Sequence, residues 1–326
     1  MSLLIAPPAW GKTRLLLEIV NKYKKLIIFI SPLRALSQEL EHSLHEAQIS
    51  VINPLSVKEM QKRQEEINKL KDGFVILTYE LAQFFAFEKI CKLQNVVTVF
   101  DEFHLLSLWG SSFRPLMWEI FYKVADIKLP MLALSATIDK KMEKMIYEEF
   151  TLGLEHIYII NLGNNCLLYP PSQKFWFPKI CKRWWRKKLW KRIKKLQQRT
   201  ILVFCAYREE VKREFVYWQG QGINVLSCIG GETVQFQKQL KENPNPQLII
   251  ATSALGHGVN LPLLDSVFIT YVEEHKELWL QMVGRGGRKK EKYDLYTFNS
   301  FELTKVESFR GKIEWLWGRL LEHWLP

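Results

Sequence analysis

The sequence predicts an α/β protein made of two tandem parallel-sheet lobes, and three observations carry that reading. Short apolar runs rich in Val, Ile and Leu recur without the alternation of a half-exposed strand, as strands buried on both faces require. The segments between them have helical spacing, and strand alternating with helix implies parallel layers. The pattern occurs twice, on either side of a break at 162–172 where Gly163-Asn164-Asn165 and Pro170-Pro171 interrupt the periodicity. At ~150 residues per domain, 326 residues accommodate two such units, placed at 1–165 and 166–326.

The first strand, at 3–6, runs into Ala6-Pro7-Pro8-Ala9-Trp10-Gly11-Lys12-Thr13 and then an apolar helix. This is a Walker A loop, in which backbone N–H groups at a helix start cradle phosphates. Ala9, Trp10 and Gly11 form the cradle, Lys12 reaches the β- and γ-phosphates, and the Thr13 hydroxyl ligates Mg²⁺. Strands at 26–30 and 74–78 follow, and a fourth at 96–100 ends on Asp101-Glu102-Phe103-His104. A strand-end carboxylate next to the Walker A strand is where a parallel sheet places its ligands. Asp101 is therefore expected to hold Mg²⁺, and Glu102 to orient and deprotonate an attacking water. The last run of this lobe, 132–134, leads into Ser135-Ala136-Thr137.

In the second lobe the expected strands are 201–204, 223–226, 248–251, 267–271 and 295–298. After the fourth comes Gln281-Met282-Val283-Gly284-Arg285-Gly286-Gly287-Arg288. Two arginines three residues apart beside glycines can both approach a phosphoryl group whose equatorial oxygens gain charge during transfer.

Taken in chain order, APPAWGKT, SPLRAL (31–36), LTYE (77–80), DEFH and SAT resemble motifs I, Ia, Ib, II and III of superfamily 2 helicases, DExH-box branch. The stretches ILVFCAYREE (201–210), ATSALGHGVNLP (251–262) and QMVGRGGR resemble motifs IV, V and VI, and GVNLP is similar to the Ski-type group. The resemblance implies two RecA-like lobes of the P-loop NTPase fold with ATP and Mg²⁺ between them. Lys12, Thr13, Asp101 and Glu102 would come from one lobe, and Gln281, Arg285, Arg288 and the motif V Gly258 from the other. It further implies that Arg34, Thr78, Arg208 and Thr252 touch a nucleic-acid backbone, and that His104, Ser135 and Thr137 couple the two sites. Against the family's usual APTGSGKT, Ala9 replaces a glycine and Trp10 a small residue. A left-handed Ala9 would cost ~1–2 kcal/mol, and Trp10 either packs into the core or covers the nucleotide.

The activity implied is an ATP-dependent helicase or translocase that steps along a DNA or RNA strand, DNA favoured, 3′ to 5′ by analogy. Two other readings stay open. One is the motor subunit of a larger complex, such as a CRISPR-associated nuclease-helicase or a DNA-uptake machine; the other is a nucleic-acid clamp with a weakened P-loop. The chain starts at the Walker A strand and stops soon after motif VI, without an adenine-reading glutamine motif or a winged-helix or ratchet domain. ATPase activity is accordingly expected ahead of processive unwinding.

Composition narrows the partners. The net charge of +12 resides in one stretch, because residues 169–199 hold twelve Lys or Arg, four Trp and no acid, leaving 34 basic and 34 acidic residues elsewhere. From Pro178 to Gln198 the spacing is helical, with Cys181, Trp185, Leu189, Ile193 and Leu196 on one face. Trp184 and Trp190 fall outside that stripe among Lys187, Lys191 and Lys194. The face is either solvated lysine or an accessory nucleic-acid contact in which aromatics stack on bases. A second amphipathic helix at 313–324 either closes the second lobe's core or docks a partner. Five scattered cysteines without a CxxC pair exclude a disulfide framework and a four-thiolate zinc or iron–sulfur site. No stretch approaches 18 apolar residues, so a soluble, cytoplasmic protein with no membrane partner is expected.

Overall fold

The computed structural model describes residues 1–90, 95–110, 114–138, 140, 142–144, 146, 157–178, 184–256 and 259–305. The chain divides into two compact units, Met1–Cys166, rejoined at Lys305, and Leu167–Thr304.

The first unit is a seven-stranded sheet of β1 (Ser2–Ile5), β2 (Leu26–Ser31), β3 (Val51–Ile52), β4 (Gly73–Thr78), β5 (Val96–Phe100), β6 (Met131–Ser135) and β7 (Tyr158–Asn161). Its order is β3-β4-β2-β5-β6-β1-β7, and every pairing is parallel. Along β2, Leu26, Ile28 and Ile30 join one core cluster and Ile27 and Phe29 another. Both faces of the sheet are therefore covered, which is why its strands read as unbroken apolar runs.

After a two-residue strand, β8 (Cys166–Leu167), the second unit repeats the plan. Its strands are β9 (Gln173–Trp176), β10 (Thr200–Phe204), β11 (Val225–Cys228), β12 (Leu248–Ala251), β13 (Leu264–Ile269) and β14 (Asp294–Thr297). The order is β11-β12-β10-β13-β14-β9, again all parallel. Leu202 and Phe204 face one cluster, Ile201 and Val203 the other.

All ten expected runs form strands, with ends shifted by up to three residues. The edge strands β3, β7 and β9 escaped the sequence reading. A strand with one neighbour and an open face needs no apolar run, and most of Tyr158–Asn161 and Gln173–Trp176 is exposed. One expectation is corrected by the strand order: β5 is not next to the Walker A strand, because β6 lies between it and β1.

The basic segment forms a helix over Trp184–Ile193, with Trp185, Leu189 and Ile193 buried as the spacing requires and Leu196 half-buried beyond it. Cys181 lies outside the described residues. Trp184 is 61% exposed. Trp190, expected beside it as a free aromatic, is half-buried instead and stacks on the buried Trp218 with centroids 5.6 Å apart. The amphipathic stretch at 313–324 lies outside the described residues. Among those described, no helix is long and apolar enough to cross a membrane.

Candidate nucleotide and nucleic-acid site

Strand β1 delivers the chain at Ala6 into a loop that ends where the helix Lys12–Tyr23 begins. Two loop residues are left-handed, Ala9 at φ +64° and Gly11 at φ +104°. Turns of this kind aim successive backbone N–H groups into one concavity. No side chain caps the helix and its first turn carries no acid, so its leading N–H groups and positive dipole end are available to an anion. The half-buried Lys12 donates from Nζ to the Ala6 carbonyl at 3.1 Å, which holds the amine over the loop, and Thr13 follows it, exposed. The loop is thus a cradle of the right chemistry for a polyphosphate. Trp10 packs partly against the core cluster containing Leu4 and Leu15, and its indole Nε1 is buried without a hydrogen-bond partner among the described residues.

At the carboxyl end of β5 the backbone is tied to both neighbouring strands. Asp101 N–H donates to Ile30 O at 3.0 Å and Phe103 N–H to Leu134 O at 2.8 Å. Between them Glu102 is held at φ +45°, a conformation that a non-glycine residue adopts only where its surroundings enforce it. Burial, and then the Glu102 charge, push the Asp101 carboxyl up to about 7 despite the attraction of Lys12. Two crowded carboxylates of this kind suit a divalent cation.

His104 is 2% exposed, with Nδ1 3.1 Å from Ser135 Oγ and 3.5 Å from Glu102 Oε2. The Ser135 hydroxyl donates to the Thr137 carbonyl and accepts the Thr137 N–H at 3.3 Å. With its one proton so used, Ser135 Oγ is the acceptor for the His104 N–H. His104, Ser135 and Thr137 therefore form one hydrogen-bonded path at the end of β6, with the Glu102 carboxylate oxygen 3.5 Å from its His104 end.

The four residues assigned to a nucleic-acid backbone all sit at or just past carboxyl strand ends, in pairs on neighbouring strands. Arg34 follows β2 and Thr78 ends β4 in the first unit; Arg208 follows β10 and Thr252 follows β12 in the second. Arg34 and Arg208 are exposed, Arg34 also donating to Leu55 O, whereas Thr252 is 8% exposed.

In the second unit the helix Lys276–Val283 presents Gln281, 5% exposed, and ends in the glycine-rich turn. Arg285 is 1% exposed and donates from Nη1 to Val259 O at 2.9 Å; Arg288 is half-buried and donates from Nε to Gly284 O at 3.2 Å. A side chain at Gly286 would meet the Tyr293 ring at 2.4 Å, and Gly287 is left-handed at φ +76°. The glycines thus let the turn lie flat on Tyr293 while the two arginines are set by backbone carbonyls of their own unit. Gly258 lies outside the described residues.

Two positioning residues had no signal in the sequence. Arg114 donates to Glu80 Oε1 from Nε at 2.9 Å and to the Pro32 carbonyl, joining the segments that carry Thr78 and Arg34. Asn164, readable only as a turn residue, bonds both the N–H and the carbonyl of Ile138 at 2.8 Å and so holds the chain after Thr137. Their partners lie 26 to 82 residues away, beyond the reach of local pattern.

Residues 2–145 match the DEAD/DEAH box helicase model, and residues 185–290 match the helicase conserved C-terminal domain. Among curated proteins, the ATP-dependent DNA helicase RecQ of Pasteurella multocida is 26% identical over 82% of this chain and 42% of its own length. RecQ of Bacillus subtilis is 24% identical over 87% of this chain and 48% of its own length. The chain thus spans less than half of these relatives. Among solved structures, Mss116p bound to ssRNA and AMP-PNP aligns over 91% of this chain and 65% of that one, with a TM-score of 0.70 and 14% identity. The Mycobacterium smegmatis helicase Lhr bound to ssDNA and AMP-PNP aligns over 91% of this chain and 43% of that one, with a TM-score of 0.65 and 18% identity. Both likenesses establish the two RecA-like folds. With a DEAD/DEAH box domain followed by a helicase C-terminal domain, the chain belongs to superfamily 2 of the helicases.

Proposed function

We propose that this chain is an ATP-dependent helicase or translocase acting on a nucleic-acid strand, DNA before RNA. One observation carries the reading most. The uncapped, left-handed loop with Lys12 and the crowded Asp101–Glu102 pair stand at carboxyl ends of one parallel sheet, and the charge of Lys12 acts on Asp101. The choice of DNA rests on relatives that bear the name DNA helicase. The finer assignment to the DExH-box branch rests on Asp101-Glu102-Phe103-His104, and a Ski-type affinity rests on the GVNLP ending of motif V.

The chemistry that bound Mg²⁺-ATP supplies is phosphoryl transfer to water. The loop N–H groups and Lys12 bind the phosphates, and Thr13 and Asp101 hold the cation. Glu102 takes the proton of the attacking water, while Gln281, Arg285 and Arg288 stabilise charge on the transferred group. The approach of Glu102 to His104 and the hydrogen-bonded path on to Ser135 and Thr137 give the hydrolytic residues a mechanical link to the neighbouring strand end. Arg34, Thr78, Arg208 and Thr252 grip the strand.

Steady-state ATP hydrolysis with and without single-stranded DNA or RNA tests the proposal. Stimulation by a polynucleotide, larger for DNA, is expected; turnover indifferent to both polymers would remove the helicase reading, and absence of turnover would favour a clamp. Displacement of a labelled strand from a tailed duplex then separates unwinding from translocation.

A further inference from the structure

The helix Trp184–Ile193 lies outside every helicase motif, and its cations are sorted into two sets. Both arginines are neutralised within their own unit. Arg186 pairs with Glu214, which is 2% exposed, and is flanked by the rings of Trp185 and Tyr217. Arg192 pairs with Asp265 at 2.6 Å and with Asp294 at 2.9 Å. The lysines are the other set. Lys187, Lys188 and Lys191 are exposed and none has an ion-pair partner among the described residues, although the Lys188 ammonium lies over the Phe175 ring at 4.9 Å and the Tyr296 ring at 5.8 Å. With Trp184 they occupy positions i, i+3, i+4 and i+7, one face of a helix.

Trp184 is the anomaly on that face. Its ring is 61% exposed, although the same helix buries Trp185 and stacks Trp190 on Trp218. Solubility accounts for exposed lysines but not for an exposed indole among them. From Trp184 to Lys191 the face is about 10 Å long at ~1.5 Å per residue, with three lysines along it. Cations that follow phosphates and an aromatic that stacks on an unpaired base together describe single-stranded nucleic acid.

We infer that Trp184, Lys187, Lys188 and Lys191 form an accessory single-strand-binding face on the second unit, apart from the helicase motifs. The inference rests on the nucleic-acid reading above, and one measurement separates the two. Binding of fluorescent oligo-dT and oligo-rU is followed by anisotropy across a salt series, for the wild-type chain and for K187Q/K188Q/K191Q. Losing three phosphate contacts is expected to make the slope of log K against log salt shallower by about 2, at roughly 0.7 per contact. Trp184→Ala is expected to weaken binding roughly 5- to 100-fold with the slope unchanged, and Trp184→Phe to restore part of it. Basal hydrolysis without polymer should match wild type in all three variants, since none of these residues belongs to the nucleotide site. A triple variant with the wild-type slope would overturn the inference and leave the helicase reading standing. A wild-type chain that binds neither oligonucleotide would sink both, and, with a labelled duplex titrated alongside, preferential loss of duplex over single-strand binding would overturn the single-strand assignment.

Discussion

At the residue scale the Walker A loop is workable but strained. The sequence shows alanine where glycine is usual, and the structure puts that alanine in the left-handed region at φ +64°. Ala9→Gly is expected to raise stability by up to ~1 kcal/mol, the relief of a left-handed alanine less the entropy that glycine returns to the unfolded chain. Thermal denaturation reads this directly, and a destabilised variant would mean that the Ala9 methyl makes a contact worth more than the strain. Lys12→Ala and Glu102→Gln should each abolish ATP turnover with the circular dichroism spectrum unchanged; residual wild-type turnover in either would mean that the site is misassigned. Asp101 adds a pH signature of unusual sign. Its folded-state carboxyl lies near 7 against ~3.9 unfolded, so between those values the unfolded chain has released a proton that the folded chain keeps. This group therefore stabilises the fold least at neutral pH, and its contribution declines as pH rises from 4 to 7. Urea melts of the metal-free chain across that range should show a shallower decline for Asp101→Asn than for wild type. Parallel curves would contradict the raised Asp101 carboxyl, which burial and then the Glu102 charge produce.

Individual elements show where sequence pattern succeeds and where it stops. Spacing alone placed Trp185, Leu189 and Ile193 on a buried stripe, because an amphipathic helix records its own burial in its periodicity. It misjudged Trp190 because the cover comes from Trp218, on a helix far along the chain. The buried Glu214 was equally illegible: it sits in the charged-looking helix Arg208–Gly220, and its partner Arg186 lies on a different helix. Arg186→Ala should then cost about 1–3 kcal/mol, the usual penalty for a buried charge that loses its hydrogen-bonded partner. Restoration by adding Glu214→Gln, read by denaturant unfolding, would assign the loss to that pair. If the double variant were no more stable than the single, the loss would lie in the stacking of Arg186 on Trp185 and Tyr217. In the candidate site the strand-end motifs were legible through their joint order and spacing along the chain, since a strand-end Asp-Glu or Ser-Ala-Thr by itself is ordinary loop sequence. The connections that align them were not, since Arg114 and Asn164 act across long sequence separations.

At the scale of the whole molecule, the two repeats found in the sequence correspond to two separate sets of cores. The clusters around β2 draw only on residues of the first unit, and those around β10 only on the second. Two units with their own cores need not unfold together. The phosphate cradle belongs wholly to the first, so a ligand that binds it stabilises that unit by mass action, about 2.7 kcal/mol at a hundredfold excess over Kd. Calorimetry of the full chain should therefore resolve two transitions. Mg²⁺ with a non-hydrolysable ATP analogue should raise the first unit's transition, and Lys12→Ala should remove that rise. The Arg285→Ala/Arg288→Ala pair should keep it while losing turnover, because both side chains belong to the second unit and, in the proposed function, act on the transferred group. A single transition that the analogue leaves unmoved would show that the loop does not bind nucleotide. A rise that persists in Lys12→Ala would place the nucleotide somewhere other than the loop between β1 and its helix.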